Sequence, residues 1–157
     1  MALITRGITR CAHCERVIAE GDAAVSFTVF VANAVDPLYG FNDAVFHAAC
    51  LGEERLGAAA LERQAETFKR LGPKSHVCAV CELSIAKWDQ NVTVPHLSAS
   101  AGELKKFDYL QFHRGCLPRW EALTEASDRI SAAMSDGKIA GDVVERLLAE
   151  LRRAAAE

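Results

Sequence analysis

Alternating apolar and polar residues mark out two β-hairpins along the chain. In residues 25–31 four apolar side chains fall on one face of an extended strand, namely Val25, Phe27, Val29 and Val31. A period of two is typical of a half-buried strand, and residues 44–46 can return beside it after a turn. The stretches 91–94 and 107–112 repeat the arrangement around a second loop. The pattern therefore predicts one hairpin in each half of the chain.

Apolar residues at helical spacing predict three helices. The first ends at Gly72-Pro73 and carries the stripe Leu61, Ala65, Phe68 and Leu71. The second ends at Gly137 and carries the stripe Trp120, Leu123, Ser127, Ile130 and Met134. The third begins with Asp142 as its N-cap, and its apolar face comprises Val143, Val144, Leu147, Leu148 and Leu151. Short hairpins followed by helices indicate a small α+β fold.

One pattern of cysteine and histidine occurs twice. The chain reads Cys-Ala-His-Cys-Glu from Cys11 and Cys-Ala-Val-Cys-Glu from Cys78, and a His-x-x-Cys pair follows each run, at His47 and at His113. Flanking residues repeat as well, namely Ile18 and Ile85, Phe46 and Phe112, and Leu51 and Leu117. Self-similarity at a near-constant spacing predicts an internal duplication.

The repeated residues are suited to binding a metal ion. Two cysteines three residues apart can reach one ion from a tight turn, and a His-x-x-Cys pair lies one turn apart on a helix. Three thiolates and one imidazole make a tetrahedral donor set that suits zinc. We expect two structural Zn²⁺ ions, one bound by Cys11, Cys14, His47 and Cys50 and one by Cys78, Cys81, His113 and Cys116.

Other arrangements of these residues remain open from the sequence. The pairs can join alternately in a cross-braced manner, which gives one all-cysteine site and one site of two cysteines and two histidines. Disulfides or free thiols are a further alternative, although a chain that does not begin like a secreted protein does not favour disulfides. His13 and His76 lie near the cysteines in sequence and are candidates to replace a ligand.

A cysteine knuckle, a hairpin and a helix whose first turn supplies two ligands together resemble the treble-clef zinc fingers. The Cys-x-x-Cys pair, the long hairpin and Phe-His-x-x-Cys are most similar to poly(ADP-ribose) polymerase-type fingers and, more loosely, to half of a LIM domain. The resemblance covers roughly residues 8–56 and 75–122. It implies tandem treble-clef-like modules with one zinc ion each. From the polymerase-type fingers it also implies a grip on exposed DNA ends through a basic face and apolar loop residues.

We therefore predict three segments along the chain. Residues 1–73 form a first zinc module with a trailing helix, residues 74–137 form a second such module, and residues 138–157 form a C-terminal amphipathic helix. A core of this size supplies only about 3–5 kcal/mol, whereas structural zinc contributes about 10–16 kcal/mol. The modules are therefore expected to need their ions to fold.

Composition and charge narrow the expected function. Apolar residues make up 50% of the chain, but their runs are too short to cross a bilayer, so we expect a cytoplasmic protein. The chain has 18 basic and 21 acidic residues and a formal net charge of −3. Two zinc sites with three thiolates each take this charge to about −5. Nucleic-acid binders usually show a basic surplus or a basic face, so the charge disfavours that function.

We expect a non-enzymatic interaction or adaptor protein, because four protein ligands leave zinc no open position for a substrate. The residues expected to bind a protein partner are an apolar loop and a basic cluster, namely Leu38, Tyr39, Phe41, Arg6, Arg10 and Arg16. The alternative is a zinc-finger protein that binds DNA ends or single strands through the same residues. The apolar face of the C-terminal helix offers a groove-binding surface or a homodimer contact.

Overall fold

Two antiparallel hairpins and several helices make up the part of the chain that the computed structural model describes, residues 3–72, 76–87, 90–99 and 101–157. The strands are β1 (Ala24–Ser26), β2 (Val45–His47), β3 (Asn91–Thr93) and β4 (Gln111–His113). The α-helices are α1 (Ala48–Glu53), α2 (Gly57–Leu71), α3 (Leu123–Ser135) and α4 (Asp142–Ala155). Short 3-10 helices span Tyr39–Phe41, Gly102–Phe107 and Arg114–Arg119. The small α+β fold that the sequence predicts is confirmed.

The chain divides into two compact units that do not follow the order of the sequence. The first unit contains the residues up to Val31 together with Pro37–Phe68, and the second contains Ala32–Asp36 together with Lys69–Glu157. The predicted boundary between residues 73 and 74 lies outside the described residues. The three segments predicted from the sequence therefore stay a prediction.

The first unit has an aromatic core under its hairpin. Val25 of β1 pairs with Phe46 of β2 in the antiparallel ladder. The ring of Phe27 lies 5.5 Å from that of Phe41 and 6.0 Å from that of Phe46, measured between centroids. All three phenylalanines are buried. Because α1 follows β2 directly, this core also fixes the position at which α1 begins.

The strand predicted over residues 25–31 is shorter in the structure. The ladder ends after three residues because the backbone N–H groups of Phe30 and Val31 donate to the side chain of Asn42 rather than to a partner strand. Val31 is buried as the alternation predicts, but Val29 is 58% exposed. The apolar alternation thus continues in the sequence past the point where the sheet ends.

The second unit packs the β3–β4 hairpin, the 3-10 helix Arg114–Arg119 and helices α3 and α4 around one apolar core. The ring of Trp120 lies 4.6 Å from that of Phe112. The apolar face of α4 turns inward and buries Val144, Leu147, Leu148, Leu151 and Ala154. The face that the sequence offers for a homodimer or a partner groove is therefore used inside this unit. Within the described ranges, no helix has the length and apolar character needed to cross a membrane.

The stretch 107–112, predicted as one strand, is divided in the structure. The 3-10 helix Gly102–Phe107 ends there, and only the last residues of the stretch belong to β4. Tyr109 has a φ of 63°, a left-handed conformation that an extended strand does not contain. The aromatic residues of this stretch thus reach the core from a turn as well as from a strand.

Gly137 ends α3 as predicted. Its φ is 68°, its N–H donates to the carbonyl of Met134 at 3.0 Å, and the N–H of Lys138 donates to the carbonyl of Ala133 at 2.9 Å. These are the two hydrogen bonds of a Schellman motif, in which glycine takes the left-handed position at no steric cost.

Residues 32–36 pack within the second unit, on the loop that joins α3 to α4. Asn33 Oδ1 accepts the backbone N–H of Ala140 at 3.0 Å, and Asn33 Nδ2 donates to the carbonyl of Lys138 at 3.2 Å. Ala34 N–H donates to the carbonyl of Ala140 at 2.8 Å. This short segment therefore provides hydrogen-bond partners for backbone groups of the loop.

The start of α4 lies one residue earlier than predicted. Gly141 is the N-cap, with a φ of 113°, and its carbonyl accepts the N–H of Glu145 at 3.0 Å. Asp142, the predicted N-cap, is the first residue of the helix. A Cβ atom at position 141 would lie 3.2 Å from the Cβ of Ala34, so both the backbone conformation and the packing favour glycine at the cap.

Candidate metal centres

The eight predicted ligands form two separate groups of four. The donor atoms lie within 4.8 Å of one another in each group, and the groups are Cys11, Cys14, His47 and Cys50, and Cys78, Cys81, His113 and Cys116. All six cysteines are free. The pairing is sequential, and neither the cross-braced pairing nor a disulfide occurs. Both clusters are compatible with binding a metal ion.

A tight turn brings together the two cysteines of each pair. Glu15 N–H donates to the carbonyl of Cys11 at 2.9 Å, and Glu82 N–H donates to the carbonyl of Cys78 at 2.9 Å. Both glutamates have a φ of 59°, a left-handed conformation that reverses the chain just after the second cysteine. The glutamate that follows each pair thus has a backbone role in the turn.

In the first unit the hairpin carries the histidine to this turn. Ala12 N–H donates to the carbonyl of Val45 at 2.8 Å, and the backbone N–H of His47 lies 3.4 Å from Cys11 Sγ. α1 begins at the residue after His47. His47 and Cys50 therefore lie one helical turn apart and reach the same point.

The second unit makes the same contacts. Ala79 N–H donates to the carbonyl of Gln111 at 2.8 Å, and the backbone N–H of His113 lies 3.4 Å from Cys78 Sγ. The two hairpins also share their register, because Ala24 pairs with the first histidine and Asn91 with the second.

The helical turn that holds the last ligand differs between the two clusters. Cys116 lies on the 3-10 helix Arg114–Arg119, whereas the first cluster uses an α-helix. Pro118 lies inside this 3-10 helix, and it has no N–H with which to continue α-helical hydrogen bonding. The predicted α-helix after Cys116 therefore begins later, at Leu123.

Each ligand histidine points its Nδ1 atom at the thiols. His47 Nδ1 lies 3.4 Å from Cys14 Sγ and 3.9 Å from Cys50 Sγ. The second cluster repeats these distances, with 3.4 Å for Cys81 and 4.0 Å for Cys116. A tetrahedral ion with bonds of about 2.3 Å to sulfur and about 2.0 Å to nitrogen holds such atoms about 3.5 Å apart. The spacing of the donor atoms thus fits an ion of this kind.

An arginine donates to one thiol in each cluster. Arg16 Nε lies 3.5 Å from Cys14 Sγ, and Arg119 Nη2 lies 3.1 Å from Cys116 Sγ. The hydrogen bond from Arg16 lowers the pKa of Cys14 to about 6, whereas burial, followed by the neighbouring Cys14 thiolate, raises the pKa of Cys50 to about 11. A metal ion that removes the proton from every thiol leaves a net negative cluster, and each arginine offsets part of that charge.

A carboxylate lies beside the ring nitrogen of His47 that does not face the thiols. Asp22 Oδ2 lies 3.3 Å from His47 Nε2 and accepts the N–H of Ala19 at 2.7 Å. Arg6 Nη1 donates to the carbonyls of Ala19 and Asp22 at 2.7 and 3.0 Å. A carboxylate in this position orients a ligating imidazole and fixes which nitrogen faces the metal. No motif in the sequence marks Asp22 as part of a site, and its place behind His47 is visible only in the fold.

The other two histidines near the cysteines lie outside the clusters. His13 Nδ1 lies 2.8 Å from Glu54 Oε1 and His13 Nε2 lies 3.3 Å from Glu53 Oε2. His76 Nδ1 lies 2.6 Å from Gln111 Oε1. Neither histidine belongs to a group of four, so neither replaces a ligand.

Matching polar side chains hold the loops between the strands. Asn42 Oδ1 accepts the backbone N–H groups of residues 30 and 31, both at 3.1 Å. Asp108 Oδ1 accepts those of residues 97 and 98 at 2.8 and 3.2 Å, and Asp108 Oδ2 lies 2.9 Å from His96 Nδ1. Burial opposes the charge of Asp108, but His96 and the N–H groups outweigh it and lower the pKa of Asp108.

Two of the three residues predicted as an exposed apolar loop are buried. Leu38 and Phe41 are each 7% exposed, because they pack into the core of the first unit, and Tyr39 is 44% exposed. The prediction that Leu38 and Phe41 stand out as anchors is therefore wrong, and Tyr39 alone of the three presents a large surface.

The basic cluster predicted to bind a partner is engaged within its own unit. Arg10 Nη1 donates to the carbonyl of Glu15 at 3.0 Å. Arg16 bonds to a cluster thiol, and Arg6 bonds to the turn that carries Asp22. The three arginines thus support the first cluster and the backbone around it.

Comparisons of this chain with protein-family models, with curated proteins and with solved structures found no match. Its function therefore has to be inferred from the two clusters and the surfaces around them.

Proposed function

We propose that this is a non-enzymatic, cytoplasmic zinc-binding protein, in which two structural Zn²⁺ ions hold surfaces for protein–protein contacts. The observation that carries the proposal is the convergence of three cysteines and one histidine in each of two clusters. Soft thiolates with imidazole favour zinc over hard cations such as Mg²⁺ or Ca²⁺. Six free cysteines fit a reducing compartment.

A structural role follows from the number of ligands. Four protein ligands fill the tetrahedral shell and leave no position for a water molecule or a substrate. The first ligand of each cluster is also deeply buried, with Cys11 at 1% and Cys78 at 0% exposure. These features support sites that stabilise the fold and provide no argument for catalysis.

We further propose that the two clusters belong to duplicated treble-clef-like modules. Support comes from equivalent backbone features, because Asp43 and Tyr109, each four residues before its ligand histidine, have φ values of 52° and 63°. Isolated bridges flank the knuckles at matching places, between Arg10 and Val17 and between Val77 and Ser84. The proposed segments remain residues 1–73, 74–137 and 138–157.

The contacts of the three arginines and the net charge favour a protein partner over a nucleic acid. The side chains of Arg6 and Arg10 donate to backbone carbonyls, and that of Arg16 donates to a thiol. The net charge of the chain is −3 before zinc is counted. A strong nucleic-acid surface needs a basic excess directed at phosphates. No contact among the described residues favours the nucleic-acid alternative, so we do not propose it.

Metal content and spectroscopy test the proposal. Native mass spectrometry is expected to show two zinc ions per chain, with one ion lost in Cys14→Ser and one in Cys81→Ser. Replacement by Co²⁺ is expected to give the absorption of a tetrahedral thiolate site in both clusters. Ser135→Ala changes an exposed serine that belongs to neither cluster. It serves as the control and should keep both ions. A chain that binds no zinc, or that binds it equally well without these cysteines, would contradict the proposal.

A further inference from the structure

One thiol in each cluster is open to solvent. Cys14 and Cys81, the second cysteine of each Cys-x-x-Cys pair, are partly exposed, whereas the four other cysteines are buried. A reagent in solution has to reach a sulfur atom before it can react, and the thiolate is the reactive form of cysteine. In the zinc-bound protein every ligand thiol is deprotonated. These two sulfur atoms are therefore the accessible nucleophiles among the cysteines.

Among the described residues, an arginine bonds to only one of these two exposed thiols. Arg16 Nε lies 3.5 Å from Cys14 Sγ. The arginine of the second cluster bonds to a different sulfur atom, because Arg119 Nη2 lies 3.1 Å from Sγ of the buried Cys116. Cys81 Sγ instead lies near its ligand histidine. The exposed thiol of the second cluster thus lacks the arginine contact that its counterpart has.

A leucine takes the place of Arg16 in the second cluster. Cys11 N–H donates to the carbonyl of Arg16 at 2.9 Å, and Cys78 N–H donates to the carbonyl of Leu83 at 3.0 Å. Residues 16 and 83 therefore hold the same position in the two knuckles. Leu83 is 65% exposed, and its side chain has no group that can donate to a thiolate. At this position the two knuckles share a backbone and differ in the side chain.

A guanidinium beside a thiolate makes the sulfur atom less nucleophilic. The positive charge stabilises the thiolate and makes the thiol more acidic. The nucleophilicity of a thiolate falls about threefold for each tenfold rise in the acidity of its thiol. A larger thiolate fraction does not offset this loss, because thiols that bind zinc are deprotonated already. Arg16 thus protects Cys14, and Cys81 has no such protection.

We propose that Cys81 is the site at which hydrogen peroxide first oxidises this protein, and that the second cluster loses its zinc ion before the first. This inference rests on the zinc-bound state in the proposed function, and it adds a chemical reactivity to that state. The first cluster keeps its ion at this stage, because its exposed thiolate is bonded to an arginine.

The oxidation takes two steps. The Cys81 thiolate attacks one oxygen of hydrogen peroxide, the O–O bond breaks, and a sulfenic acid forms as hydroxide leaves. A neighbouring thiolate, that of Cys78 or Cys116, then attacks the sulfenic sulfur, and a disulfide forms as a second hydroxide leaves. The two sulfur atoms together lose two electrons, which the peroxide oxygens take up. The donor atoms of this cluster lie within 4.8 Å of one another, so both neighbours are close to the oxidised sulfur.

A disulfide leaves the second site with two of its four donors. Two donors do not complete the tetrahedral shell that a structural zinc site needs, so the ion is released. Reduction of the disulfide by a thiol reagent restores both thiolates and allows zinc to bind again. The reaction is therefore expected to be reversible while it stops at the disulfide.

Zinc release from the full chain loaded with two zinc ions tests the order of reaction. Hydrogen peroxide is added in excess, a chromophoric chelator reports free zinc, and the release without peroxide is subtracted. Dimedone traps sulfenic acids, and mass spectrometry of tryptic peptides locates the oxidised cysteines. Cys81 is expected to react, and one ion to be released, at least about threefold faster than Cys14 reacts. Oxidation of Cys14 first, or of both thiols at the same rate, would overturn the proposal.

Exchange of the two side chains tests the cause of the difference. Leu83→Arg gives the second knuckle the arginine of the first, and it is expected to slow the oxidation of Cys81 about threefold or more. Arg16→Leu is expected to speed the oxidation of Cys14 by a similar factor. Residues 16 and 83 are both exposed, so neither change removes packing from the core. Unchanged rates in both variants would overturn the proposal.

Val77→Arg is the matched control for the added charge. Val77 is exposed and holds the position of Arg10, which bonds to a backbone carbonyl rather than to a thiol. This variant should therefore leave the oxidation of Cys81 unchanged, and equal protection by Val77→Arg and Leu83→Arg would contradict a direct contact with the sulfur atom. Zinc content is measured before peroxide is added. A chain that holds two ions but releases them in another order contradicts this inference, whereas a chain without zinc contradicts the proposed function.

Discussion

Asp22 links a surface turn to the first cluster of candidate metal ligands. Its Oδ2 atom accepts the N–H of Ala19 and lies 3.3 Å from His47 Nε2, and the turn itself is held by Arg6. A residue behind a ligand acts by holding the ligand in place, and such contacts commonly change metal affinity 10- to 100-fold. The ligands therefore account for only part of the site.

Replacing Asp22 is expected to weaken one site selectively. Asp22→Asn should lower the zinc affinity of the first cluster by about tenfold or more and leave the second cluster unchanged. Competition with a chromophoric chelator, with the second cluster as internal reference, measures this. Glu20→Gln removes a charge from the same turn at an exposed position and should change neither site. Equal weakening of both clusters by Asp22→Asn would show that the effect is not local.

Asp108 is expected to stabilise the second unit at neutral pH. Its carboxylate accepts two backbone N–H groups and lies beside His96, so Asp108→Asn should cost about 1–3 kcal/mol in the free energy of unfolding. The folded pKa lies below the usual 3.8, so this stability is present above that pH and is lost only as the pH falls through the folded pKa. The difference between the variant and the wild type, measured by urea unfolding, should therefore not shrink as the pH falls from about 7 to about 5.

The equivalent residue of the first unit provides the reciprocal control. Asn42 both accepts two N–H groups and donates Nδ2 to the carbonyl of Val31 at 2.7 Å. Asn42→Asp keeps the acceptor but removes the donor, so it should destabilise the first unit although it creates the side chain that the second unit uses. A difference for Asp108→Asn that shrinks as the pH falls from about 7 to about 5 would mean that this stability is lost well above the usual pKa of an aspartate, and it would contradict the assignment.

At the scale of single elements, local sequence signals predicted where a helix ends better than they predicted how long a strand is. Gly137 ends α3 because its left-handed backbone is a property of the residue itself. The length of β1 could not be predicted, because the bonds that end it come from Asn42, 11 or 12 residues away. The two clusters of candidate metal ligands could be predicted, because spacing and residue type determine the ligands. Asp22 could not be linked to His47, because that contact exists only after β1 and β2 pair.

The glycine at the end of α3 gives a prediction for this scale. Gly137→Ala should destabilise the second unit by about 1 kcal/mol, because alanine is strained at a φ of 68°. Thermal unfolding of the zinc-loaded chain measures the change. Gly102→Ala is the control, because residue 102 has no left-handed φ and a Cβ there meets open space. A similar loss in both variants would mean that backbone conformation is not the cause.

At the scale of the whole molecule, the second unit is assembled from two pieces of the sequence. Residues 32–36 belong to it although they lie within the first half of the chain. Asn33 is 1% exposed, and it bonds to the loop before α4 through both its oxygen and its nitrogen. The stability of the second unit thus depends on a segment that a cut between the two predicted modules would remove.

Asn33→Ala is expected to destabilise the second unit by about 1–3 kcal/mol, since it removes the hydrogen bonds that the buried Asn33 side chain makes with the backbone of Lys138 and Ala140. Both tryptophans of the chain, Trp88 and Trp120, lie in the second half of the sequence. Trp120 belongs to this unit and packs against Phe112, so a change in tryptophan fluorescence during urea unfolding reports on this unit. Val35→Ala truncates an exposed side chain of the same segment and should have little effect. Equal unfolding midpoints for Asn33→Ala and the wild type would contradict this role.

Amide spectra of the chain with and without zinc test most directly whether two zinc ions hold the fold. Two-dimensional ¹H–¹⁵N NMR of the zinc-loaded protein is expected to show dispersed signals from both units. Removal of the metal by a strong chelator should collapse this dispersion, and two equivalents of Zn²⁺ should restore it, because structural zinc contributes about 10–16 kcal/mol to a folded domain. A metal-free chain that keeps the dispersed spectrum of both units would contradict the claim.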